Sequence, residues 1–95
     1  MSKKPRPTKP GQPPPPPPPL VTRPVMFVWG PVSGATDYKL QVGSVSLGAD
    51  LYNVRQGNVL TAEVAVSLGV RYTRVVAYQD ATPLFTTMQQ VVVVL

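Results

Sequence analysis

Seven consecutive prolines, Pro13, Pro14, Pro15, Pro16, Pro17, Pro18 and Pro19, constrain this chain more than any other feature. Proline has no backbone N–H and pushes the residue before it towards extended geometry, so neither a helix nor a central strand can pass through the run. What remains is a polyproline II rod, about 22 Å long at about 3.1 Å per residue. Upstream, KKPRPTKPGQ is basic and polar and offers no apolar face to a core; alone, such a segment is expected to be disordered. Residues 1–21 therefore read as a basic, proline-rich extended arm. Its tip carries Lys3, Lys4, Arg6 and Lys9, and its spacer runs out at Leu20. Residues 22–95 are the folding unit.

The net charge of +5 divides close to the same boundary, between residues 1–24 and the rest. Residues 1–24 hold Lys3, Lys4, Arg6, Lys9 and Arg23 with no acid, whereas Lys39, Arg55, Arg71 and Arg74 are matched by Asp37, Asp50, Glu63 and Asp80. The pI of about 10.0 belongs to the arm, and no basic face is expected on the body.

The chain has no Cys and no His. A disulfide staple is excluded, and a metal centre or acid–base pair lacks its usual residues. Ser33, Ser44, Ser46 and Ser67 have no imidazole to activate them. Asp50 and Asp80 fall in turn-rich stretches, where turn chemistry accounts for them. No enzyme activity, cofactor or metal is expected. Lys3 and Lys4 lead into prolines and not into the apolar run of a signal peptide, and Val91 to Leu95 is far too short to span a bilayer. The chain is expected to stay in the cytosol or to leave the cell by a route that needs no signal peptide, and no membrane partner is expected.

Beyond Leu20 the pattern changes to short β-branched runs. In VMFVW, Val25, Phe27 and Trp29 alternate with the equally apolar Met26 and Val28, as in a strand largely buried on both faces. YKLQV sets Tyr38, Leu40 and Val42 against Lys39 and Gln41, a half-buried strand. LYNV, VLTAEVAV, VRYTRVVAY and LFTTMQQVVVVL continue the series, the last with a break or bulge near Gln89–Gln90, and turn residues separate them every eight to twelve positions. No helix and no internal repeat is predicted. About seven such strands suit a two-sheet antiparallel sandwich. Phe27, Trp29, Tyr38, Leu40, Val42 and Tyr72 are assigned to its core, and Tyr52, Tyr78 and Phe85 are better placed for exposed contacts.

The first two strands carry three linked motifs: Phe27-Val28-Trp29, Pro31-Val32-Ser33-Gly34-Ala35 and Tyr38-Lys39-Leu40-Gln41-Val42. Together they resemble the fibronectin type III family, whose tryptophan is a core residue and whose Gly-Ala pair shapes the turn between strands B and C. Val66, Leu68 and Tyr72 fall where that family has its Leu–x–Pro–x–x–x–Tyr corner, here without the proline. The resemblance covers about residues 22–95. It implies an all-β, seven-stranded antiparallel fibronectin type III-like β-sandwich, of the kind found in bacterial and bacteriophage structural proteins. It implies nothing specific about function, because the fold hosts many tasks. No Arg-Gly-Asp triplet is present.

A sandwich of this type without signal peptide or cysteines suggests a particle built in the bacterial cytosol. The expected role is a non-enzymatic structural protein of a bacteriophage virion, a capsid decoration, head-fibre or accessory protein. Residues from Lys3 to Leu20 would seat it on capsid or tail proteins, since a polyproline rod loses little entropy on docking. Val91 to Leu95, apolar and without charge or proline, is a candidate for self-association. Nucleic acid is not expected as the main partner, because the arm has cations but no interleaved aromatics. The alternative is a small binding module that recognises glycan or a cell surface through the sandwich. In its adaptor form, Lys4-Pro5-Arg6-Pro7-Thr8-Lys9-Pro10 or the polyproline run would meet SH3- or profilin-type partners.

Overall fold

The computed structural model describes residues 11, 13–16 and 20–95. They form seven strands: β1 (Thr22–Val28), β2 (Asp37–Gly43), β3 (Tyr52–Gly57), β4 (Thr61–Ser67), β5 (Gly69–Gln79), β6 (Thr82–Thr86) and β7 (Gln90–Val94). All pairings are antiparallel, and no helix occurs among the described residues. β1 and β4 make one sheet. The other runs β3-β2-β5, with β6 and β7 placed one after the other along the far side of β5. The arrangement is all-β and compatible with a β-sandwich.

The buried cluster joins the two sheets. Phe27, Val64 and Val66 enter it from the smaller sheet, and Tyr38, Leu40, Val42, Val75, Ala77 and Val94 from the larger. Leu40 and Val42 are completely enclosed, as expected for the central strand of a sheet covered on its inner face. Trp29 lies just past the end of β1 but stays in the core. Its backbone N–H donates to the Leu60 carbonyl at 3.0 Å, one step beyond the β1–β4 ladder. The indole N–H is satisfied by the Val59 carbonyl at 3.0 Å. Its ring lies 6.1 Å from that of Tyr38, within the range of a tilted aromatic pair. The Tyr38 hydroxyl accepts from the Val32 N–H at 2.9 Å, which ties the β1–β2 loop to the core.

Three details differ from the sequence expectations, and a fourth, the break in the last strand, agrees with them. Met26 and Val28 are 58% and 72% exposed, so β1 is buried on one face only. Tyr72 is half-buried on the outward face of β5 and outside the core cluster. It is two residues from Arg74, and Thr73, Val75 and Ala77 are the residues that turn inward. Gln41, expected in solvent, is buried: its amide donates to Asn53 Oδ1 at 3.2 Å and accepts from Arg74 Nε at 2.8 Å. The last strand is interrupted at residues 87–89. Val76 pairs with Thr86 and Thr73 with Gln90, so the edge strand uses one more residue than β5 over this stretch. Thr87 bridges the defect. Its N–H donates to the Val75 carbonyl at 2.9 Å, and its hydroxyl accepts from the Val75 N–H at 2.9 Å.

The tight β4–β5 turn is held by Arg71. Its guanidinium donates to the Ser67 carbonyl (3.1 Å), the Ser67 hydroxyl (3.1 Å) and the Leu68 carbonyl. Gly69 at φ 125° supplies the backbone conformation the turn needs. This fastening comes from the residue beside Tyr72. Gly43 ends β2 under the returning loop, where an added Cβ would lie 2.4 Å from the Gly48 carbonyl oxygen.

Candidate functional site

The arm is described in part. Pro13 to Pro16 are exposed and belong to no helix or strand, and Leu20 is 79% exposed. Lys3, Lys4, Arg6, Lys9 and Pro17 to Pro19 lie outside the described residues. Leu20 and Val21 lead directly into β1, so the arm leaves the body at the start of the smaller sheet.

On the body, the polar side chains serve mainly one another. Asp37 pairs with Arg55, and its other oxygen accepts from the N–H groups of Tyr38 and Gly57, both at 2.8 Å. Arg55 lies 3.9 Å from the Tyr78 ring centroid and donates to the Asp80 carbonyl at 2.6 Å. Lys39 stands over the same ring at 5.6 Å. The Tyr78 face is thus covered by cations and is no open platform. Asp80 closes the β5–β6 turn at φ 53°, with its N–H donating to Thr36 Oγ1 at 2.7 Å. Asp50 accepts from the N–H and hydroxyl of Ser44 at 2.9 and 2.6 Å, and these bonds hold its carboxyl below the usual carboxylate range. Ser46 bonds Gln89, and Ser67 bonds Arg71. Among the described residues no three acids, histidines or cysteines cluster, and none has a helix long and apolar enough to cross a membrane.

No family model matches the chain, and no curated protein or solved structure matches it.

Apolar side chains supply the exposed features that are not consumed internally. Phe85 is 54% exposed on the edge strand, while Tyr52 is half-buried against the core. Val91 and Val93 point outward from β7, each 60% exposed, whereas Val94 is buried. A cleft of about 340 Å³ opens between the two sheets, lined by Phe27, Trp29, Leu40, Val75 and Thr73 within and by Met88 and Gln90 at its mouth. Sequence reading missed this cleft. Its walls come from β1, β2, β5 and the break after β6, and no local signal marks a concavity assembled from residues that far apart. Thr73 could have drawn notice, as the one hydroxyl on the inward face of a strand otherwise set with Val75 and Ala77.

Proposed function

We propose that the protein is a structural component of a bacteriophage virion, a decoration, head-fibre or accessory protein whose body is a fibronectin type III-like sandwich. The exposed prolines carry the reading. Pro13 to Pro16 and Leu20 stand clear of a body in which Asp37, Asp50, Asp80, Ser44, Ser46, Ser67 and most cations are engaged in its own hydrogen bonds. A surface that spends its polar groups on itself suits a passive building block, and an exposed polyproline segment suits a strap laid in a groove of another subunit. The β-strand order supports the sandwich type: β1 beside β4, β2 beside β5, and β5 beside the last strand match the B–E, C–F and F–G neighbours of immunoglobulin-like folds.

The test is attachment. Full-length chain and chain lacking residues 1–19 are mixed with particles of the phage that encodes it, and the mixtures are sedimented. The intact chain is expected in the pellet and the truncated one in the supernatant, with unchanged far-ultraviolet circular dichroism. Equal attachment of both would refute the strap.

A further inference from the structure

A two-stranded sheet cannot cover a sheet that is four strand positions wide, and the uncovered ground is the cleft. No residue of β3 or β4 lines it. It therefore opens on the side of β1 away from β4 and below the edge formed by residues 87–90.

Three observations there point to one kind of occupant. The first is the rim. Trp29 extends the β1–β4 ladder with an N–H donated to Leu60, which fixes Phe27 and Val25 as the residues facing β4. Met26 and Val28 consequently turn their N–H and C=O groups away from β4, Val28 at the cleft itself and Met26 on the same margin beside it, and β1 has no second neighbour among the described residues. The second is the walls, where Phe27, Trp29, Leu40 and Val75 present apolar surface. The third lies within. Thr73 is 7% exposed and lines the cleft, and its hydroxyl has no hydrogen-bond partner. A compact apolar ligand would leave the rim and the hydroxyl unsatisfied. An extended polypeptide answers all three.

We propose that the cleft is a strand-acceptor site. It takes an extended segment of a different protein, hydrogen-bonded to Met26 and Val28 through its backbone, with apolar side chains at alternate positions between the sheets and a small hydroxyl or amide side chain meeting Thr73. Among the described residues nothing fills the site: Pro13 to Pro16 lack the N–H groups that pairing needs, and Leu20 and Val21 run on into β1 without the positive φ of a tight reversal. Nor can β7 of a second copy enter as a lone strand, because β5 already holds one of its edges and Val94 is in its own core. This site goes beyond attachment by the arm, and either can fail without the other.

The probe is a seven-residue peptide with valine at its second and sixth positions, serine at its fourth, and lysine or threonine elsewhere. It is titrated into the isotope-labelled full chain and followed by amide resonances and hydrogen exchange. Met26 and Val28 amides are expected to shift and to exchange more slowly. A peptide N-methylated at alternate residues should bind at least tenfold more weakly. Met26→Pro removes one edge donor from a strand that already carries Pro24, and should weaken binding by a similar factor with the melting temperature retained. No binding at millimolar peptide, perturbation of Val91 and Val93 in place of Met26 and Val28, or equal binding by the N-methylated peptide would each overturn the proposal. If Met26→Pro does not fold, the N-methyl comparison decides alone.

Discussion

Asp37 accepts from Arg55, Gly57 and Tyr38, and the first of these does most to hold its carboxyl below its ordinary value of 3.8, against a smaller opposing effect of desolvation. A depressed folded-state value means that the charged form is favoured by folding, so this stability is present above the unfolded value and is lost as pH falls through the folded one. The pair is partly exposed, with side chains 42% and 20% accessible for Arg55 and Asp37, and solvent screening keeps its worth small. Asp37→Asn should lower stability by about 1 kcal/mol or less at neutral pH. The gap from the parent, read from urea unfolding, should close as pH drops below 3.8. Thr73 works in the opposite sense. Its buried hydroxyl is unmatched in the unliganded protein, so Thr73→Val should raise stability by about 1 kcal/mol in the same assay. A loss would show that the hydroxyl is already satisfied.

At the scale of elements, the interrupted edge strand depends on one side chain. Thr87 replaces a missing ladder contact with its hydroxyl, and Thr87→Val should strand the Val75 N–H at a cost of about 1–3 kcal/mol. Hydrogen exchange at Val75 should accelerate beyond the global change. How far sequence reached is clearest among these strands. YKLQV and VLTAEVAV alternate apolar with polar, so period alone places Tyr38, Leu40, Val42, Val64 and Val66 inward. VMFVW is apolar throughout and conceals its exposed face. In β5 both faces carry bulky residues, Tyr72, Val76 and Tyr78 against Val75 and Ala77, and only the partner strands decide which side is inward. Gln41 and Val76 are buried on the outward face because long neighbours such as Arg74 and Lys39 fold over it. The break near Gln89 was legible from the clustered polar residues, but its repair by Thr87 was not.

For the molecule as a whole, the core cluster among the described residues lies within residues 27–94. Removing residues 1–19 should therefore leave the melting temperature of the body within a degree or two of the parent, as scanning calorimetry can check. A large drop would mean that the arm packs on the body. The charge division makes a second demand. Since four of the chain's five excess positive charges sit before β1, attachment through the arm should weaken as salt is raised from about 0.05 to 0.5 M. Attachment indifferent to salt would leave only shape and apolar contact for the strap. The cleft lay beyond sequence reading at this scale too, because it arises from a mismatch in width between two sheets and not from any run of residues.

Pro24 sits in the middle of the exposed margin of β1. Donors that point outward from a strand recur about every 6.8 Å, and this proline deletes one of them, leaving a blank between Thr22 and Met26. A backbone laid along this margin can pair at Met26 and Val28 but finds no donor at Pro24. The same omission discourages like molecules from zipping together edge to edge along their whole length, so the margin can stay sticky at one end without seeding fibres.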